Sequence, residues 1–215
     1  MTKRGHATFA ALFTFNNGFM KQNLVIVDNG HGRETAGKRS PDGSLREWEW
    51  CRHMAREIRH RLQLHGIECV LLVPEDSDVP LRERCRRANT LATGRRAVLV
   101  SVHNNAAGNG LEWNGARGFC AFVAPAASQE SKTLARLMQA EALACGLGGN
   151  RALPHEGYLT GNFAICRDTS CPAVLSENLF MDNADDLSLL LSDAGFDKIA
   201  AVHVNSLLKY FNLLS

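Results

Sequence analysis

Short apolar runs alternate along this chain with segments in which apolar residues recur at helical spacing. Continuous runs such as 24–27 and 97–102 are typical of strands buried on both faces of a parallel sheet. The alternation predicts a single α/β domain with a mostly parallel central sheet flanked by helices on both faces. The predicted strands cover 24–27, 67–73, 97–102, 118–123 and 172–176, with a further short strand at 163–166. The predicted helices run from Ser44 to Gly66 and over 81–93, 128–145, 182–191 and 196–213.

Capping residues mark the expected start of several helices. Ser44 is followed three residues later by Glu47, which is the spacing of a capping box. The segment 148–161 shows neither a strand nor a helix period, and we expect irregular backbone there. Further caps expected from the sequence are Ser128, Asp182 and Asn183.

Composition and charge limit the classes of function open to the chain. Its 215 residues, 45% of them hydrophobic, suit one globular domain with a full core. The formal net charge of +2 gives no strong field for a nucleic acid or a membrane surface, so neither is an expected partner. We expect a monomer. Six arginines crowd residues 82–96, where we predict a solvated helix face; an anionic partner is the alternative.

The start of the chain and its cysteines bear on localisation. No apolar run is long enough to span a bilayer. Residues 1–19 faintly resemble a signal peptide but lack a small-residue cleavage site. We therefore predict a dispensable extension, or translation starting at Met20, before a domain over 20–215. Seven cysteines without a CxxC pair favour free thiols and synthesis in the reducing cytoplasm over disulfides or a cysteine zinc site.

Side chains able to bind a metal follow three of the predicted strands. His31 follows the first strand in a glycine-flanked turn, His103 ends the third, and Glu177 ends the last. Because the carboxyl ends of parallel strands meet at one edge of the sheet, we expect these three side chains to lie close together. Glu47 opens the first helix and can reach the same edge. Two histidines and a carboxylate leave one position of a tetrahedral zinc open for water, whose proton a second carboxylate can take.

Each of these residues also has an ordinary structural explanation. His31 can be a loop histidine without a task, and His103 a hydrogen-bonded residue at a strand end. Glu47 can serve only the capping box, and Glu177 can pair with an arginine. The repetition of such residues at three strand ends favours a functional site. No GxGxxG, P-loop or nucleophile-elbow pattern is present, which removes the common nucleotide and serine-hydrolase explanations.

Five segments match, in order, the motifs of one enzyme family. They are D-N-G-H-G at 28–32, G-S-L-R-E at 43–47, L-R-E-R-C-R-R-A-N at 81–89, S-V-H-N-N-A at 101–106 and R-D-T-S-C-P-A-V-L-S-E-N-L-F-M-D-N at 167–183. In these segments the chain resembles the zinc-dependent N-acetylmuramoyl-L-alanine amidases of the amidase_3 type. It departs from the family pattern at three places: Asn29 replaces a proline, Trp48 a common lysine, and Leu179 a glycine.

The resemblance implies a role for each matching residue. His31, Glu47 and His103 would be the ligands of one Zn²⁺ per chain. Glu177 would be the catalytic carboxylate. Residues expected to contact the substrate or to support the ligands are Asn29, Arg84 and Asn105.

The activity implied by the resemblance is hydrolysis of the amide between N-acetylmuramic acid and L-alanine of the stem peptide. The substrate would be peptidoglycan or a muropeptide, the enzyme would act on the cell wall, and residues 20–215 would be its catalytic domain. A zinc peptidase or amidohydrolase acting on another small amide is one alternative. An inactive peptidoglycan-binding module is another, although the complete set of ligands argues against it.

Overall fold

The apolar runs form a central sheet in the computed structural model, which describes residues 23–213. The strands are β1 (Asn23–Asn29), β2 (Glu68–Leu71), β3 (Arg96–Asn105), β4 (Cys120–Val123), β5 (Leu159–Thr160) and β6 (Ala173–Phe180). The helices are α1 (Glu47–Leu64), α2 (Leu81–Ala92), α3 (Gln129–Ala144), α4 (Ala164–Arg167), α5 (Ala184–Leu191) and α6 (Asp193–Tyr210). The strand order is β2-β1-β3-β6-β4-β5, and every pair is parallel except β4 with β6. The predicted fold class is confirmed.

Side chains along the strands alternate between two hydrophobic cores. In β1, Val25 and Val27 join the core formed with α1, α3, α5 and α6. Leu24 and Ile26 join the core formed with α2 and α4. Strand β1 therefore buries both of its faces, which is why its sequence is almost continuously apolar. Polar side chains gather instead where the strands end.

The short strand predicted at 163–166 is wrong. From Ala164 onward this segment belongs to α4, and the backbone N–H groups of Cys166 and Arg167 both donate to the carbonyl of Phe163. Cys166 is buried in the core on the α2 side of the sheet. A short apolar run can pack against a core either as a strand or as one helical turn. The pattern alone therefore does not distinguish a strand from a helix. The edge strand beside β4 is β5, which lies within the stretch predicted to be irregular.

Helix α1 begins without the predicted capping box. Its N-cap residue is Arg46, whose side chain makes no capping hydrogen bond, while Ser44 donates to Asp42. Glu47 is therefore free of a capping role and is only 1% exposed.

Elsewhere the predicted caps Ser128 and Asn183 accept backbone N–H groups of α3 and α5, whereas Asp182 binds the 107–114 loop. The closing helix starts before the predicted Phe196, at Asp193 after a Ser192 cap.

Leu179 adopts a backbone conformation that glycine adopts more readily. Its φ angle is 67°, in the left-handed region. Its side chain is 1% exposed and belongs to the core on the α1 side of the sheet. The glycine expected here from the family pattern would adopt this conformation without strain. In this chain a leucine strains the backbone, and burial of its side chain offsets the cost.

The arginines of the 82–96 region do not share one environment. Arg84 is 2% exposed and pairs with Asp28, so the predicted solvated face is wrong for this residue. Arg86 is exposed beside Glu83, as predicted.

All seven cysteines are free thiols. Among the described residues no helix is long and apolar enough to cross a membrane. The predicted extension 1–19 lies outside the described residues.

Candidate metal centre

The carboxyl ends of β1, β3 and β6 bring four of the predicted site residues to one edge of the sheet. His103 and Glu177 are register partners in the parallel pair of β3 and β6. Glu47 Oε1 lies 3.2 Å from His31 Nε2 and 3.0 Å from His103 Nδ1. One ligand-type atom from each of His31, Glu47 and His103 lies within 4.8 Å of the other two, so this group could hold a metal ion.

The turn that carries His31 is held by two buried arginines. His31 has a φ of 60°, which is costly for a residue with a Cβ atom. Its carbonyl oxygen accepts hydrogen bonds from Arg52 Nη1 and Nη2 and from Arg84 Nη2, each at 3.1 Å. A Cβ atom at Gly30 would overlap the imidazole of His103, so the close approach of this turn to β3 requires glycine.

Glu47 is the first residue of α1, where the helix dipole favours a negative charge. The backbone N–H of Asn104 donates to its Oε1 at 3.1 Å, whereas its shielded Oε2 has no hydrogen-bond partner within residues 23–213. Burial raises the pKa of Glu47, but hydrogen bonds from His103 and His31 outweigh burial and lower the pKa to about 2. The carboxylate therefore stays ionised between the two histidines.

A β-bulge in β6 follows the pairing of His103 with Glu177. The next pair is Asn105 with Phe180, so two residues of β6, Asn178 and Leu179, lie opposite Asn104. Asn178 Nδ2 donates to the carbonyl of His103 at 2.8 Å, and Asn104 Nδ2 donates to the carbonyl of Asn178 at 3.1 Å. Burial lowers the pKa of the His103 imidazole, but the hydrogen bond with Glu47 and the negative charges of Glu47 and Glu177 together raise it above the ordinary value.

Glu177 lies beside this group without joining an ion pair. Its Oε2 is shielded from solvent and has no hydrogen-bond partner among the described residues. Loss of solvent, together with the negative charge of Glu47, raises the pKa of Glu177 to about 7 against the opposing charges of His103 and Lys38. A carboxyl group with this pKa can take up and release a proton near neutral pH.

The three other predicted residues have different environments. Arg84 lines the cavity at the metal centre and also binds Asp28 and the carbonyl of Asn29, at 2.9 and 2.6 Å. The side-chain nitrogen of Asn29 is buried and has no hydrogen-bond partner in the part of the chain that the structure describes. Asn105 lines the cavity, and its Oδ1 accepts the backbone N–H of Ala106 at 2.9 Å. Arg84 therefore supports the loop, while Asn105 is open to a ligand.

Sequence analysis missed several residues of the centre. Arg52 lies on the buried side of α1 and acts through the carbonyl of His31, which local spacing does not reveal. Lys38 lines the cavity from an irregular loop. Asn104 and Asn178 lie next to His103 and Glu177 within the quoted motifs, and those adjacent positions were the available signal.

A cavity of about 590 Å³ opens over the four site residues. Leu81 and Phe163 line it on the side of α2 and α4, and Lys38 lines it from the loop before α1. Ligands of open α/β sheets bind at this end of the strands. The fold and the site together are those of an α/β protein with three side chains that could hold a metal ion, and a further carboxyl group beside them, at one sheet edge.

Comparison with known sequences identifies the family. The Amidase_3 family, N-acetylmuramoyl-L-alanine amidase, matches residues 25–209. The chain is 30% identical over 191 residues to the N-acetylmuramoyl-L-alanine amidase CwlM of Bacillus licheniformis, covering 88% of this chain and 69% of that protein. It is 28% identical over 192 residues to the endolysin of Bacillus phage SPP1, covering 88% and 66%. The chain belongs to the Amidase_3 family, whose members are hydrolases, and it spans about two thirds of these relatives.

Solved structures share the fold over almost their entire length. The catalytic domain of CwlV, an N-acetylmuramoyl-L-alanine amidase from Bacillus (Paenibacillus) polymyxa var. colistinus, superposes with a TM-score of 0.75 at 26% identity, covering 90% of this chain and 99% of that one. An N-acetylmuramoyl-L-alanine amidase from Clostridium difficile 630 gives a TM-score of 0.78 at 24% identity, covering 90% and 98%. The fold is therefore that of an amidase catalytic domain.

Proposed function

We propose that this chain is a zinc-dependent peptidoglycan amidase that hydrolyses the amide between the lactyl group of N-acetylmuramic acid and L-alanine of the stem peptide. The observation that carries the proposal is the convergence of His31 and His103 on one oxygen of Glu47, with the free carboxyl group of Glu177 at the same edge. Membership of the amidase family supports the choice of substrate.

The donor set fits a single zinc ion. Imidazole nitrogens and a carboxylate oxygen are ordinary zinc ligands, and ligands about 2.0–2.1 Å from a tetrahedral ion lie about 3.3 Å apart. The distances from Glu47 Oε1 to the nitrogens of His31 and His103, 3.2 and 3.0 Å, are close to that separation. We propose His31, Glu47 and His103 as the ligands. A zinc ion held there would supply a Lewis acid for the scissile carbonyl and lower the pKa of water.

Glu177 carries the proton in the proposed reaction. Its carboxylate takes a proton from the water that attacks the scissile carbonyl carbon. It then delivers that proton to the nitrogen of L-alanine as the carbon–nitrogen bond breaks. The products are the free muramic acid carboxylate and a stem peptide with a free amino terminus. A pKa raised to about 7 by loss of solvent suits a group that must act as base and then as acid.

Residues around the three proposed ligands hold them in position. Arg52 and Arg84 fix the backbone of His31, and Asn178 fixes the carbonyl of His103. The backbone N–H of Asn104 orients Glu47. Such partners of metal ligands set their orientation and so tune affinity.

Digestion of purified sacculi followed by mass spectrometry tests the proposed function. We expect stem peptides with L-alanine at a free amino terminus, in amounts that fall when zinc is removed. Products cut between two amino acids would instead support the alternative of a zinc peptidase. Binding to sacculi without any product would support the alternative of an inactive peptidoglycan-binding module.

A further inference from the structure

A second, smaller cavity of about 190 Å³ lies beside the metal centre. We call it the basic cleft; its walls include Lys38, Arg39, Arg46, Trp48 and Leu111. Lys38 lines both cavities, so the basic cleft adjoins the cavity over the proposed ligands. Of the described residues that line it, none is acidic.

The positive charges of the basic cleft are arranged unfavourably for the free protein. Arg39 and Arg46 are directly opposed across an isolated antiparallel bridge, where like charges destabilise the pair. Arg46 is also the N-cap of α1, where the helix dipole disfavours a cation. Among residues 23–213, neither arginine nor Lys38 forms an ion pair. An anion placed between the two arginines would relieve both repulsions.

The remaining walls suit a peptide with an anionic group. The indole N–H of Trp48 is shielded from solvent and has no acceptor in the described part of the chain. Leu111 is 67% exposed at the rim and offers an apolar surface. The loop that carries Leu111 lies close to the bridge. A Cβ atom on Gly110 would lie 3.0 Å from the carbonyl oxygen of Arg39. The cleft thus combines free donors with one apolar wall.

We propose that Arg39 and Arg46 bind a free carboxylate of the peptide whose amide is cut, so that the basic cleft selects substrates by charge. This inference rests on the proposed function. In a muropeptide the lactyl carboxyl is already part of the scissile amide, and N-acetylated sugars are uncharged. The peptide beyond the amide keeps its carboxylates. Charge complementarity therefore places the peptide side of the substrate over the cleft, where arginine can bind a carboxylate through two hydrogen bonds.

Defined substrates test this selection. N-acetylmuramoyl peptides of alanine are made with either a carboxylate or a carboxamide at the C-terminus and lengthened one residue at a time. Each added residue moves the terminal group by about 3.3–3.6 Å. At the length that reaches the cleft we expect kcat/KM of the parent to be roughly tenfold higher for the carboxylate. In the double variant Arg39→Gln/Arg46→Gln this ratio should fall towards one.

A matched control removes two positive charges elsewhere. Arg56 and Lys198 are exposed and line neither cavity, so Arg56→Gln/Lys198→Gln should keep the parent ratio. A parent ratio near one at every length would overturn the inference while leaving the amidase proposal intact. Failure of the parent to cut any of these substrates would overturn both.

The salt dependence of the parent provides a test that needs no variant. Exposed charges are screened when the ionic strength rises, because the Debye length falls from about 10 Å at 0.1 M to about 3 Å at 1 M. We expect the carboxylate preference to shrink over that range. A preference that does not change with salt would contradict recognition by Arg39 and Arg46, even if the double variant proved unstable.

Discussion

Two buried arginines share the carbonyl oxygen of His31 and hold it in a left-handed backbone conformation. That conformation costs a residue with a Cβ atom roughly 1–2 kcal/mol. Arg52 approaches from α1 and Arg84 from α2, so the turn is fixed from two helices. We expect the direction of the His31 imidazole, and with it the affinity for the proposed zinc ion, to depend on these contacts.

Arg52→Met tests this support. The variant keeps an apolar stem in the buried site and removes both hydrogen bonds to His31. We expect zinc affinity to fall roughly tenfold to a hundredfold, as for other partners of metal ligands. Competition with a chelator measures the affinity, and Arg56→Met, one turn further on the exposed side of α1, is the control. Equal affinity in Arg52→Met and the parent would show that Arg52 has no part in positioning His31.

The sequence predicts some residues of the centre better than others for a physical reason. His31, His103 and Glu177 each follow a buried strand, and parallel strands end at one edge. Glu47 fits a capping box equally well by sequence, and only its burial in the fold separates the two explanations. Arg52 bonds a carbonyl 21 residues away, a contact that no local pattern encodes.

Glu177→Gln separates proton transfer from metal binding. Glutamine keeps the size of the side chain but accepts no proton, so the variant should fold and retain zinc. We expect the rate of amide hydrolysis to fall by roughly two to four orders of magnitude. Glu130→Gln, on the exposed start of α3, controls for the loss of one carboxylate. Near-parental hydrolysis would rule out the proposed role, and loss of zinc would make Glu177 a ligand.

At the scale of elements, α6 is tied to the metal centre through a buried histidine. His203 Nε2 lies 2.9 Å from Asn178 Oδ1, and Asn178 in turn donates to the carbonyl of His103. Sequence spacing places His203 on a helix but gives no reason to bury it. Burial lowers the pKa of His203 from the ordinary 6.5 to about 3, so the folded protein holds it neutral.

This burial predicts a pH dependence of stability. Below pH 6.5 the unfolded chain binds a proton at His203 that the folded chain excludes. The contribution of His203 to the free energy of unfolding is therefore complete above pH 6.5 and is lost as the pH falls towards 3. Urea unfolding of metal-free protein across this range should show a shallower loss of stability in His203→Gln than in the parent. His53→Gln, exposed on α1, should follow the parent. Equal slopes in His203→Gln and the parent would contradict the buried neutral state.

The sequence pattern does not predict the helical state of α4 or the direction of β4. The apolar run that leads into α4 is too short to carry a period, and its tertiary contacts decide for a helical turn. The pattern of β4 marks a strand but encodes no direction, so its antiparallel pairing with β6 could not be predicted. By contrast, β1 and β3 were predictable because both faces of each are buried and the runs are long.

At the scale of the whole molecule, the described domain contains both cores and the metal centre. Asn23, the first described residue, lines a cavity of about 1420 Å³ that includes none of the proposed ligands. We therefore expect deletion of residues 1–19 to leave folding and hydrolysis unchanged. Thermal unfolding and turnover of the shortened protein check this. A fall in Tm of more than about 4 °C, equivalent to about 1 kcal/mol or more, would show that the extension packs on the domain.

A zinc titration of metal-free protein, with hydrolysis of a defined N-acetylmuramoyl peptide as the signal, tests most directly whether His31, Glu47 and His103 hold one catalytic ion. We predict negligible hydrolysis without metal, a linear rise on adding zinc, and a plateau at one equivalent per chain. His103→Ala should remain near the starting level throughout. Full hydrolysis by metal-free protein, or by His103→Ala at one equivalent of zinc, would contradict a zinc amidase built on these ligands.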